Sequence, residues 1–248
     1  MVSVQVAAFR PYAGQVETIP LFPLGMVLFP GMVLPLRVFE PRYLALMEKL
    51  LTRPEGIRRE FGVVAIRQGW EVGADAASAL YPIGCTATLR RAARLDDETF
   101  DIVTVGADRF RLGPLDVTSE PYLQAEVQRL PDELGPGEES AVLAHSVLRL
   151  YRDYLAALAD TALLELPGGG GLAEVLADLP DDPLLLASLV AATAPLELGD
   201  RQSLLAARDG VSRLRAELRL LKREATMFAR LRAVPVPLAQ WQLPGGLN

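Results

Sequence analysis

Cysteine, histidine and lysine are almost missing from this chain. Its 248 residues hold one cysteine, Cys85, one histidine, His145, and two lysines, Lys49 and Lys222. A single cysteine excludes an intrachain disulfide and any cysteine-based metal cluster, and a lone thiol fits a reducing compartment, so a cytoplasmic location is expected. A Ser-His-Asp or Cys-His site would have to use His145. That residue sits mid-helix beside a linker, with no G-x-S-x-G elbow in the chain, and is expected to be a partly buried helical histidine. Cys85 lies in an alternating segment where a small buried hydrophobe is the expectation, and no neighbouring feature would lower its pKa. A Ser-Lys dyad would need Lys49 or Lys222, which both fall on charged faces of amphipathic segments, where a solvated ammonium is expected.

Nucleotide and metal chemistry lack their motifs too. No G-x-x-x-x-G-K-[ST] loop occurs; the glycines Gly168–Gly171 run into Leu172-Ala173. Asp96-Asp97-Glu98 and Asp181-Asp182 have neither a nearby histidine nor calcium-loop spacing, and read as turn and cap residues. No cofactor and no metal are therefore expected. Aromatics make up only 6% of the chain and the net charge is −6, which opposes a generic polyanion binder. The segment Arg213–Arg223 is interleaved with Glu217 and Glu224, a pattern expected of a solvated helix face with internal ion pairs.

What the chain does have is apolar residues, half of the total, which is ample for a core. The densest stretch is "IPLFPLGMVLFPGMVLPLRVFEPRY", uncharged from Ile19 to Leu36. Its 18 residues reach the lower end of membrane-spanning length. Pro20, Pro23, Pro30 and Pro35 interrupt it, and each would cost roughly 3 kcal/mol inside a helix. It is instead expected to form two short buried strands, near Met26–Phe29 and Val33–Val38, joined by a turn at Pro30-Gly31. No membrane span is expected, and "MVSVQVAAFRPYAGQVE" lacks the basic start and unbroken apolar core of a secretion signal.

The segment "FEPRYLALMEKLLTRPEG" predicts a helix that starts at Pro41 and buries Leu44, Met47 and Leu51. "EFGVVAIRQGW" predicts a buried strand, "EVGADAASALYP" a loop, and "IGCTATLRRAARLDDETFDIVTVGADRFRLG" consecutive antiparallel strands, with turn chemistry at Asp96-Asp97 and a bend or bulge at Gly106. "YLQAEVQRL" reads as the last strand. "PDELGPGEES" then marks a linker, beyond which helical periodicity dominates. Val147, Leu148, Tyr151, Leu155 and Leu158 line one helix, "DPLLLASLVAATAP" is a short apolar one, and Val211, Leu214, Leu218, Leu221, Ala225 and Phe228 stripe a long last one. The expected class is α+β: a mostly β barrel domain at 16–130 with one early helix, a C-terminal helical bundle at 137–233, and an extended tail at 234–248 that carries Trp241.

The blocks "IPLFPLGMVLFPGMVLPLRVFEPRYLALM", "FGVVAIRQGWEVG", "YPIGCTATL" and "DIVTVGADRFRL" resemble the amino-terminal substrate-binding domain of the Lon protease family. "DDPLLLASLVAATAPLELGDRQSLLAARDGVSRLRAELRLLKRE" looks like that domain's helical portion, so the resemblance runs from about residue 17 to 224. It implies a PUA-like pseudo-barrel followed by a helical bundle, and a non-catalytic module that binds unfolded or exposed apolar polypeptide, with a protease or chaperone as an accompanying partner. The motifs of the family's ATPase and Ser-Lys peptidase modules are not in this sequence, so neither activity is expected. Phe39, Arg42 and Tyr43, at the strand-to-helix junction, are the candidates for lining a peptide groove. The competing expectation is that Phe39 and Tyr43 pack the core and Arg42 caps a carbonyl. RNA binding is a further alternative by analogy with other PUA-like barrels, and a minimal peptidase a third.

Overall fold

A computed structural model describes residues 16–54, 56–67, 76–135, 139–159 and 179–231. The glycine-rich spacer at Leu166–Gly171 and the tail with Trp241 lie outside the described residues. The strands are β1 (Val16–Leu24), β2 (Val33–Val38), β3 (Glu60–Ala65), β4 (Ile83–Arg94), β5 (Phe100–Asp116) and β6 (Gln124–Leu130). The helices are α1 (Pro41–Leu51), the four-residue α2 (Ala76–Ala79), α3 (Ser140–Ala159), α4 (Pro183–Thr193), α5 (Leu198–Leu205) and α6 (Gly210–Leu231). The fold is α+β, as expected, built on a mixed sheet.

The apolar opening corrects one expectation. The first strand is Val16–Leu24, not Met26–Phe29, and both Pro20 and Pro23 lie within it. They are accommodated because β1 has one neighbour at a time. Val16–Pro20 pair antiparallel with β6, and Leu21–Leu24 pair parallel with β3. A proline can then turn its donorless nitrogen away from the ladder. Val27, Leu28 and Phe29 are buried without being a strand. The expected Pro30-Gly31 turn forms as a type II turn: Met32 N donates to the Phe29 carbonyl at 3.2 Å, and Gly31 takes φ +80° at the third position.

That turn is anchored to β5. Gly31 N donates to Gly106 O at 2.9 Å, and Gly106 N donates to Met32 O at 2.8 Å. Gly106 is the contact point, because a Cβ there would stand 2.1 Å from the Phe29 carbonyl oxygen. Immediately after it, the β4–β5 register shifts between the Cys85 and Ala87 pairs, so the expected bulge is present. The same alternation of bonded pairs leaves the nitrogen of Pro35 on the outer edge of β2, the strand at the end of the sheet. An edge strand lacking a donor there is a poor template for another strand.

The strand order is β2-β5-β4-β3-β1-β6, with a further β5–β6 pairing. β5 therefore meets β2, β4 and β6, and the pairings β5-β4-β3-β1-β6-β5 run in a ring. Enclosure is why β3 is buried at every position. Ile19, Leu21, Val64, Leu80, Phe110, Ala125 and Val127 form a small core, while the main core runs from Phe22, Phe29, Phe61 and Ile102 through α1 to Tyr151, Val190, Leu214 and Phe228 on the helices.

Two helical stripes differ from expectation by a residue or more. In α1 the buried positions are Tyr43, Leu46, Met47 and Leu50, so Leu44 and Leu51 fall on its flanks. In α6 the buried set includes Arg213, Glu217 and Glu224, which corrects the reading of these residues as a solvated face. The expected loop at "EVGADAASALYP" ends in α2, whose following residue Leu80 bridges to Ile66; its part at 71–75 lies outside the described residues. No helix among the described residues is long and apolar enough to cross a membrane.

Candidate functional site

The junction between β2 and α1 is shaped by Pro41, which occupies the first turn of α1, where a missing N–H costs nothing. Glu40 sits at the N-cap position with extended backbone, and its carbonyl accepts from Tyr43 N and Leu44 N, each at 2.9 Å. This turn points Tyr43 inward, where it is buried and stacks on Phe22 with centroids 3.9 Å apart and planes 15° apart. Phe22 in turn meets Phe61 at 5.6 Å. Burial pushes the Tyr43 phenol up to about 12; nearby Arg42 pulls the other way and Glu40 adds to the rise.

Arg42 lies over the outer side of this stack, its guanidinium carbon 4.7 Å from the Tyr43 ring centre. Its Nε donates to Glu40 Oε2 at 2.9 Å, and its side chain is 45% exposed. Phe39 is 51% exposed. The junction thus has an accessible aromatic, Phe39, and an accessible guanidinium, Arg42, which lies against the buried Tyr43. Arg42 holds a carboxylate rather than capping a carbonyl, and Phe39 is not packed away as the competing expectation had it; Tyr43 is. What such a surface can do chemically is grip apolar and carbonyl-bearing chain.

A second accessible apolar group was not anticipated. Val33 is 60% exposed and Leu185, in the first turn of α4, is 45% exposed. A Cβ on Gly31 would meet Leu185 Cδ2 at 3.1 Å, so α4 adjoins the Pro30-Gly31 turn. Only the fold brings Leu185 to this turn, because it lies about 150 positions from Gly31. Polar anchors were missed as well. Arg129 is buried against Glu17, Glu60 and Asp108. Arg109 and Arg213, both buried, share Asp132 Oδ1 at 2.8 and 2.7 Å. Alternation could have flagged an inward Arg in β5 or β6, but not its counter-ions.

Among the groups that could act as nucleophile or base, Cys85 is buried and Lys49 and Ser146 each make a hydrogen bond. Cys85 is fully buried and burial pushes its thiol far up, although a backbone contact at Ala107 opposes this. Lys49 pairs with Glu120, and that hydrogen bond, with one to Tyr122, raises its pKa rather than lowering it. Lys222 and Ser146 line one shallow hollow on α3 and α6, yet the Ser146 hydroxyl donates to the Val142 carbonyl at 2.8 Å. His145 is exposed on α3, not partly buried as expected.

Comparison with known proteins places this arrangement among Lon amino-terminal domains. The N-terminal domain of the Mycobacterium avium complex Lon protease superposes with a TM-score of 0.61 at 17% identity, covering 83% of this chain and 98% of that one. A Lon N-terminal domain protein from Xanthomonas campestris gives 0.57 at 26% identity, covering 82% and 98%. Residues 18–223 match the family described as the ATP-dependent protease La (LON) substrate-binding domain, and the chain belongs to that family. Among curated relatives, Lon protease 2 of Sorangium cellulosum is 29% identical over 86% of this chain, and the Lon protease of Roseiflexus castenholzii is 35% identical over 84%. This chain spans only about a quarter of their length, 26% and 24%.

Proposed function

We propose that this chain is a non-catalytic module that binds unfolded or exposed apolar polypeptide in the cytoplasm, and that the ring of strand pairings is a PUA-like pseudo-barrel (16–130) joined to a helical bundle (137–233). The observation that carries the reading is the half-exposed Phe39 at the same strand-to-helix junction as Arg42, whose guanidinium lies against the Tyr43 ring that stacks on Phe22. An accessible aromatic on a rigid base is a low-entropy anchor for an extended chain. Family membership supports polypeptide as the ligand. The non-catalytic reading rests on the buried thiol, the paired Lys49 and the engaged Ser146 hydroxyl. The net charge of −6 argues against RNA. A protease or chaperone that receives the bound polypeptide is the implied partner.

Titration of a fluorescently labelled, permanently unfolded polypeptide tests this. Saturable binding is expected, with Phe39→Ala weakening it about tenfold, as for loss of an anchor of about 1.4 kcal/mol. The polypeptide should keep its intact mass throughout. No saturation at high micromolar protein, or cleavage lost on Lys222→Ala, would contradict the reading.

A further inference from the structure

The seam of α6 is unusual in composition. Beside the buried Arg213, a stripe of buried positions, Val211, Leu214, Glu217, Leu221, Glu224 and Phe228, recurs at spacings of three and four, and two of these six are carboxylic acids. Glu224 has a partner: Arg223 Nε donates to its Oε1 at 2.7 Å. Glu217 does not. It is fully buried, and neither carboxylate oxygen has a hydrogen-bond partner.

The charged groups around it are already engaged. Arg213, one turn earlier, donates to Leu204 O at 3.2 Å, Ser188 Oγ at 3.0 Å and Asp132 Oδ1 at 2.7 Å. α6 packs against α3, α4 and α5. α4 carries no titratable side chain. α3 brings Tyr151, whose hydroxyl is 2.7 Å from Thr193 Oγ1, and Tyr154, whose buried hydroxyl has no partner. α5 brings Arg201, which donates to Ala194 O at 3.0 Å, and Asp200, which pairs with Arg223 at 2.5 Å.

An ionised carboxylate without donors is far costlier in a dry seam than a neutral one. We infer that Glu217 carries a proton in the folded protein at neutral pH, and that its ionisation loosens α6 from α3, α4 and α5 while the sheet stays intact. The direction of its pKa agrees: burial raises it well above the carboxylate range, against a downward pull from Arg213. The sign follows. In the unfolded chain a glutamate titrates near 4.3, so above that pH the folded state binds the extra proton. Stability is complete below that value, declines as pH rises, and levels off once the folded-state pKa has been passed. This proton-sensitive seam is independent of the polypeptide-binding reading.

Urea denaturation between pH 6 and 9 of the wild type, Glu217→Gln and Glu224→Gln provides the test. The wild-type unfolding constant should rise with pH by up to about tenfold per unit. Glu217→Gln should flatten that rise, whereas Glu224→Gln should keep it. Parallel wild-type and Glu217→Gln profiles, or flattening by Glu224→Gln instead, would overturn the assignment. Should Glu217→Gln not fold, hydrogen exchange of the wild type decides, after correction for intrinsic rates. Faster exchange in α6 at pH 9 than at pH 6, with β3 to β5 unchanged, supports the inference; uniform protection at both pH values refutes it.

Discussion

Asp132 supplies one carboxylate oxygen to two buried guanidinium groups, Arg109 of β5 and Arg213 of α6. The excess positive charge is met by backbone: Arg109 donates to the carbonyls of Leu205 at 2.8 Å and Pro131 at 2.6 Å, and also to that of Ala207. Arg213 also lies over Phe29, 5.9 Å from the ring centre. One acidic side chain therefore ties the sheet, the segment after β6, the end of α5 and the start of α6. Removing one partner of a buried ionic group leaves the other uncompensated, at about 3–5 kcal/mol. Asp132→Asn should lose at least about 3 kcal/mol in urea denaturation, while an exposed ion pair such as Arg37–Asp97 should contribute less than about 1 kcal/mol. Gly106 is equally constrained. Gly106→Ala drives a methyl into the Phe29 carbonyl and should cost about 1–3 kcal/mol, because the obstacle is backbone. Neither residue announces itself in sequence: Asp132 looks like a linker acid and Gly106 like a bend. Their roles depend on groups that the fold brings from far along the chain: Phe29 reaches Gly106 across 77 positions, and Arg213 reaches Asp132 across 81.

Elements set by local chemistry are the ones that sequence reveals. Pro41 starts α1, Pro30-Gly31 makes its turn, and Asp182 accepts from Leu184 N at 2.9 Å and Leu185 N at 2.8 Å ahead of α4. Asp182→Ala should reduce stability by about 1 kcal/mol, read as a shift in the urea midpoint with an unchanged slope. Elements that depend on tertiary context are misread. β1 contains two prolines because its neighbours change halfway along, which periodicity cannot encode. The α6 stripe places Glu217 and Glu224 inside although their charge says outside. At the candidate site, Pro41 made the junction legible, but which of Phe39 and Tyr43 turns inward was settled by the stack on Phe22.

At the scale of the molecule, the main core is continuous from the sheet through α1 to the helices, and Gln202 of α5 donates to the Ile83 carbonyl of β4 at 2.8 Å. Sheet and helices should accordingly unfold together at neutral pH, with far-ultraviolet circular dichroism and the near-ultraviolet signal of the buried tyrosines Tyr43, Tyr122, Tyr151 and Tyr154 giving coincident urea transitions. A rigid base of this kind suits the proposed grip on an extended polypeptide. The most direct measurement is hydrogen exchange of the full chain with and without saturating unfolded polypeptide. Amides of residues 33–44, from β2 into α1, should gain protection, and Phe39→Ala should reduce that gain. Binding that leaves this segment's exchange unchanged would contradict the account.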